Sequence, residues 1–109
     1  MNYEEAQRRN AFKEIKENPI ILDFTDCEYL DEIHNILKEK FGLPEYYGKN
    51  WDALWDCLDG LFYKRGDFFV EIYGFNSLAE PLRSGCIPML EIFDMVHKDT
   101  PNVRFRLIS

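Results

Sequence analysis

Three aspartates in the middle of the chain have a spacing that would place them on one face of a helix. Asp52, Asp56 and Asp59 stand at i, i+4 and i+7, so their side chains would lie along one side of an α-helix. Like charges at i and i+4 repel by about 0.2–0.5 kcal/mol per pair, and the helix dipole disfavours an acid near the C-terminal end. Such a stripe is usually a solvated face, but it would also suit a basic partner.

Catalysis is an alternative use of these residues. Asp52 and Asp56 could act as an acid–base pair or hold Mg²⁺, and Cys57 could be a nucleophile. The sequence has no phosphate-binding glycine loop, no Gly-x-Ser-x-Gly, no His-Glu-x-x-His and no zinc-site spacing. A carboxylate next to Cys57 would also oppose formation of its thiolate. We therefore expect a protein that is not an enzyme and that needs no metal or other cofactor.

Aromatic residues accompany the acids. Tyr46, Tyr47, Trp51 and Trp55 fall within one short stretch of the chain. Core packing would account for some of them, and for Trp55 at least in part. Aromatic surface beside carboxylates is nevertheless typical of a protein interface that has buried anchors and a charged complement. We interpret this stretch as a binding surface.

A short helix after a loop would present these side chains. Residues 44–49 have the composition of a loop, and Asn50 is a good N-cap for a helix near 51–60. The apolar side of that helix would come from large side chains at helical spacing, namely Trp51, Leu54, Trp55, Leu58 and Leu61.

Three short runs predict the strands of the domain. The apolar stretches 20–24 and 68–73 and the alternating stretch 103–108 have the composition of β-strands. Because helical segments separate them, the strands should be parallel. The sequence therefore predicts an α/β fold, a small three-stranded parallel sheet packed with about four helices. We expect this domain at 20–109, after an N-terminal extension, residues 1–19, that could be helical.

The other helices are predicted from apolar residues at helical spacing. After the first strand, such residues are Leu30, Ile33, Leu37 and Phe41. Thr25 or Asp26 would cap the start of that helix, and Gly42 would end it. A short helix is expected at 77–84, and a longer one should begin near Pro88.

Composition narrows the classes of function. The chain has 20 acids, 13 bases and a formal net charge of −7, which disfavours direct binding to nucleic acid and suits a basic protein. Three cysteines, an odd number, argue against a disulfide framework. The N-terminus lacks the pattern of a signal peptide, and no apolar run approaches the roughly 20 residues of a membrane span. We expect a cytoplasmic protein that does not contact membranes.

The run from Leu43 to Leu58, LPEYYGKNWDALWDCL, resembles the signature of the barstar family of ribonuclease inhibitors. The likeness is long and ungapped, and the order of predicted elements from about residue 20 to 109 fits the family domain. The resemblance implies a bacterial, intracellular inhibitor, monomeric when free. It would block the active site of a basic, barnase-type ribonuclease in a 1:1 complex, its acids taking the places of RNA phosphates. The alternative is an immunity or regulatory module of the same fold, directed at a different toxin or protein partner.

The resemblance also implies which residues contact the ribonuclease. Carried over position by position, these are Tyr46, Asn50, Trp51, Asp52, Ala53, Trp55, Asp56, Asp59, Gly60 and Leu61. Asp56 would be the central acid, inserted among the arginines and the catalytic histidine of the nuclease. The type member of the family has leucine, threonine and tryptophan at the positions of Trp51, Asp59 and Leu61, and a contact acid at the position of Met95. The core of the motif is kept, and its rim is changed.

Overall fold

A three-stranded parallel sheet lies at the centre of the structure, a computed structural model that describes residues 12–62 and 66–109. Its strands are β1 (Ile20–Asp23), β2 (Phe68–Tyr73) and β3 (Val103–Leu107), in that order across the sheet. In the register, Ile20 pairs with Val70, and Val70 pairs with Phe105. The α/β class and the parallel sheet are confirmed, and each strand lies where the sequence predicted it.

Helices connect the strands. They are α1 (Leu30–Phe41), α2 (Trp51–Leu61), α3 (Leu82–Gly85) and α4 (Ile87–Asp99). About four helices were predicted. Within the described ranges there are three longer helices and α3, which is a single turn. The turn is shorter than predicted because Pro81 has no N–H with which to continue a helix. No helix in residues 12–62 or 66–109 is long and apolar enough to cross a membrane.

One face of the sheet is covered by helices. The covered side chains, all buried, are Ile20, Leu22, Val70, Ile72 and Val103. Helix α1 packs against β1, α4 packs against β3, and α2 packs against α4. Side chains that alternate with the buried ones, such as Phe69, Arg104 and Arg106, are exposed. The core therefore lies between one face of the sheet and the helices, and the other face is partly exposed, since Glu71 and Tyr73 are half-buried there.

Helix α1 begins later than predicted. Thr25 and Asp26 do not cap it, because the chain turns there: the Asp23 carboxylate accepts the Thr25 N–H at 3.0 Å, and Asp26 has a φ of 69°. Tyr29 is the N-cap, and the Glu32 carboxylate accepts its backbone N–H at 2.9 Å. The reciprocal bond of a capping box is thus made by Glu32, and not by Glu28, which stands three positions after Thr25.

The buried side of α1 includes a polar residue. Leu30, which the sequence placed in the core, is 41% exposed, whereas His34 is 1% exposed. His34, Leu37 and Phe41 stand at i, i+3 and i+7, so they share one stripe of the helix. The predicted stripe is confirmed at Ile33, Leu37 and Phe41, while His34 is buried beside them and lies against the loop that follows.

Residues 12–19 lie along the domain and form no helix. Phe12 and Ile15 pack against the core, so this part of the predicted extension is neither helical nor frayed. The expectation for residues 1–11 lies outside the described residues.

Candidate protein-binding surface

Helix α2 directs its aspartates to solvent. The side chain of Asn50 accepts the N–H of Ala53 at 2.8 Å, so Asn50 is the N-cap that the sequence predicted. The buried side chains of the helix are Leu54, Cys57, Leu58 and Leu61. Since these occupy the side toward the core, the opposite side faces outward. The exposed residues of the helix are Asp52, Asp56, Asp59 and Gly60.

Asp52, Asp56 and Asp59 together form a surface that we call the acidic face. None of the three takes part in a salt bridge with another described residue. The last turn of α2 contains no basic residue either. Each carboxylate therefore adds to the negative potential on the same side of the helix, and such a surface attracts a basic one.

The two consecutive tyrosines before α2 lie in different environments. Tyr46 is 60% exposed, whereas Tyr47 is 6% exposed. The Tyr47 N–H donates to the carbonyl of Pro44 at 2.9 Å, and the Tyr47 hydroxyl lies 2.6 Å from Nδ1 of His34. Burial raises the pKa of the Tyr47 hydroxyl. Tyr47 thus holds the loop to the core, whereas the side chain of Tyr46 faces solvent.

Trp51 is held by contacts within the fold. Its indole Nε1 donates to the carbonyl of Gly85 at 3.1 Å, and its ring lies against that of His34, with 4.5 Å between the ring centroids. The side chain is half-buried. Only the rest of its surface is left for the partner contact that the sequence predicted. Helical spacing could not predict the hydrogen bond from Trp51 to Gly85, because Gly85 is 34 positions further along the chain.

Other expected contact residues differ in exposure. Leu61 is 2% exposed, so its side chain lies in the core, as its expected place on the apolar side of the helix requires, and little of it is left for the contact that the family resemblance implied. It is buried because it stands at i+3 from Leu58 on the apolar side of the helix. Ala53 and Trp55 are half-buried and pack against the core. Met95, on the neighbouring helix α4, is 44% exposed.

His34 is a buried residue of this site that the sequence analysis did not assign to it. Its Nε2 is buried and has no hydrogen-bond partner among the described residues. Burial lowers the pKa of His34 below its ordinary 6.5; nearby Asp31 opposes the shift, and Lys49 adds to it. The available signal was its spacing, three positions before Leu37 and seven before Phe41, which places it on the side of α1 that these residues share.

Glu45 connects the loop to two other parts of the chain. Its carboxylate pairs with Lys13 at 2.6 Å and with Lys38 at 3.0 Å. The hydrogen bonds from Lys13 and then from Lys38 lower the pKa of Glu45 to about 2. Glu45 and Lys13 are largely exposed, so their ion pair adds little to the free energy of unfolding. The ion pairs instead fix the position of the loop relative to Lys13 and to Lys38 of α1.

The surface is suited to a macromolecular partner. Within residues 12–62 and 66–109, no three acidic, cysteine or histidine side chains are grouped so that they could hold a metal ion. A groove of about 570 Å³ lies between α4 and the sheet, and none of its lining residues belongs to α2. The acidic face is instead an exposed row of carboxylates, which can pair with cations spread over a partner's surface.

A family model described as "Barstar (barnase inhibitor)" matches residues 18–108. The chain belongs to the Barstar family. The resemblance inferred from residues 43–58 is therefore confirmed, and the Barstar match includes the loop 44–50, α2 and all three strands.

A curated relative from Bacillus subtilis (strain 168) is named "Putative ribonuclease inhibitor YrdF". It is 54% identical to the chain over 41 residues, which are 38% of this chain and 45% of that protein. The matched stretch thus spans less than half the length of this relative.

Proposed function

We propose that this protein inhibits a basic, barnase-type ribonuclease, and that the acidic face and the loop 44–50 form the surface that blocks the active site of the enzyme. The observation that carries the proposal is the exposed acidic face. Its carboxylates form no salt bridge with any described residue. An enzyme that cleaves RNA presents cations to phosphates, and a row of carboxylates can take the places of those phosphates. The name of the Bacillus subtilis relative supports the same role.

Charge would act at two ranges in this mechanism. At long range, the net charge of −7 and the acidic face would steer a basic enzyme toward α2. At contact, Asp56 would lose water while it pairs with several cations, and a charge that is buried in this way is costly to leave without its partner. Asp52 and Asp59 flank it by one helical turn, nearer to the edge of the contact.

Aromatic groups would supply the apolar part of the contact. Tyr46 is exposed and Trp55 is half-buried beside the acidic face, and such side chains often contribute most of the binding energy of an interface. The contacts of Tyr47 with His34 and of Trp51 with Gly85 hold this surface in place before binding. The loop and these side chains would then lose little conformational entropy when the complex forms.

The proposal is tested by titrating the protein into a fixed amount of barnase while RNA cleavage is measured. We expect cleavage to stop at one equivalent, with a free protein that elutes as a monomer and needs no added metal. Cleavage that continues at a tenfold excess of the protein would argue against barnase as the target. Inhibition of a different basic ribonuclease would then support the acidic-face mechanism and overturn only the barnase-type specificity.

A further inference from the structure

The segment 12–17 lies outside the stretch that the family model matches, yet it is attached to the domain. Phe12 and Ile15 pack against the core. Glu17 pairs with Lys40 of α1 at 3.0 Å. Apolar packing and an ion pair therefore both hold this segment against the surface of the domain.

The main chain of this segment meets the residue that ends α1. The N–H of Lys13 donates to the carbonyl of Gly42 at 2.8 Å. Gly42 has a φ of 64°, and a Cβ built on it would lie 2.4 Å from the carbonyl oxygen of Lys13. The close approach therefore requires glycine at position 42, both for its left-handed backbone and for the space. Gly42 also leads, through Leu43, into the loop 44–50, which we call the binding loop.

The side chain of Lys13 contacts the same loop a second time. Its Nζ lies 2.6 Å from Oε1 of Glu45, and Nζ of Lys38 lies 3.0 Å from Oε2. Each carboxylate oxygen thus has its own lysine, one from the N-terminal segment and one from α1. Glu45 immediately precedes Tyr46, the exposed tyrosine of the loop.

We propose that residues 12–17 act as a brace for the binding loop and that Lys13 is a positioning residue, which holds the loop in the conformation that meets the ribonuclease. The inference rests on the proposed function, because it assigns the brace to that binding surface. An exposed ion pair contributes little to global stability. Loss of the Lys13 side chain should therefore change the loop and the lifetime of the complex, and leave thermal unfolding almost unchanged.

The first test follows the loop in the free, full-length protein by amide hydrogen exchange. Lys13→Ala is compared with Lys16→Ala, which removes the same charge from an exposed residue that takes part in none of the described ion pairs. The Tyr47 N–H, which donates to Pro44, should exchange about 2- to 5-fold faster in Lys13→Ala only. Lys13→Arg should restore slow exchange. Equal exchange in the two alanine variants would overturn the positioning role of the Lys13 side chain.

The second test measures dissociation of the barnase complex for the same variants. The rate constant should rise about 2- to 5-fold for Lys13→Ala relative to Lys16→Ala, since the second variant corrects for the lost charge. Faster exchange with unchanged dissociation would overturn the positioning role. If the wild-type protein does not bind barnase, the proposed specificity fails, and the exchange experiment alone decides whether Lys13 holds the loop.

Discussion

The Nδ1 atom of His34 lies 2.6 Å from the hydroxyl oxygen of Tyr47, and both side chains are buried. This hydrogen bond joins α1 to the loop that leads into the acidic face. Its direction depends on the tautomer of the histidine. A protonated ring could donate only from Nδ1, and its second N–H would be buried without an acceptor among the described residues.

Loss of the Tyr47 hydroxyl should destabilise the protein. Tyr47→Phe leaves the buried Nδ1 of His34 without its partner, which should lower the free energy of unfolding by about 1–3 kcal/mol. The adjacent Tyr46 is the matched control, since it is 60% exposed, and Tyr46→Phe should change stability by less than about 0.5 kcal/mol. Urea unfolding of the two variants measures both values. Equal stabilities would show that the buried hydrogen bond contributes nothing.

Acid should weaken the fold through His34. Because burial lowers the pKa of the folded-state histidine below 6.5, the unfolded state takes up the proton first. Stability is then fully present above pH 6.5 and falls as the pH drops toward the folded pKa, by at most about 1.4 kcal/mol per pH unit for one proton. Urea unfolding at several pH values between 7.5 and 5.5 measures this slope.

The two histidines of the chain allow the source of this slope to be identified. His34→Gln should remove most of it, whereas His97→Gln, on α4 and bonded to Val103, should retain it. A slope that survives in His34→Gln would assign the pH dependence to another group.

Gly60 allows stability and binding to be separated. It lies inside α2, and a Cβ built on it would meet nothing within 4 Å. Gly60→Ala should therefore stabilise the free protein by about 0.5–1 kcal/mol, because alanine favours the helix. If the ribonuclease approaches closely there, the added methyl group should weaken inhibition. Thermal unfolding and inhibition titration of one variant give both results, and unchanged inhibition would place Gly60 outside the contact.

Sequence reasoning predicted most of the fold because local signals agreed with the tertiary structure. The three strands are short, apolar and bounded by turns, and Asn50 caps α2 through a bond to a residue three positions away. The start of α1 was wrong for a physical reason. Thr25 and Glu28 have capping-box spacing, but the backbone turn at Asp26 moves the helix start to Leu30.

The binding surface was less predictable because its positions are decided by contacts between distant residues. The periodicity that placed Asp56 outward could not show that Trp51 bonds to Gly85, or that Lys13 reaches Glu45. Leu61 was carried over from the family as a contact, yet its place on the apolar side of α2 buries it.

Association with the enzyme should depend on salt through the acidic face. The association rate constant with barnase should fall steeply from low to physiological ionic strength, because salt screens the attraction that steers the encounter. The triple change of Asp52, Asp56 and Asp59 to Asn should remove most of this dependence. A control with Glu39→Gln, Glu91→Gln and Asp99→Asn makes the same change in net charge at other exposed acids and should retain it. Equal behaviour of the two triple variants would mean that net charge alone is responsible.

Asp56 should contribute more to inhibition than either of the other two aspartates of the acidic face. It lies in the middle of the acidic face, so in the complex it should be the carboxylate that is most deeply buried among cations. Breaking a buried ion pair from one side costs about 3–5 kcal/mol, so Asp56→Ala should weaken inhibition by a hundredfold or more. Asp52→Ala and Asp59→Ala should weaken it less, because they lie nearer to the edge.

The most direct measurement is the inhibition constant of Asp56→Ala, determined together with its thermal unfolding. We expect inhibition to be largely lost while the free protein stays as stable as the wild type or becomes slightly more stable, since the change relieves the i, i+4 repulsion from Asp52. Normal inhibition by a variant that unfolds more easily would contradict this. It would make Asp56 a structural residue and place the inhibitory surface elsewhere.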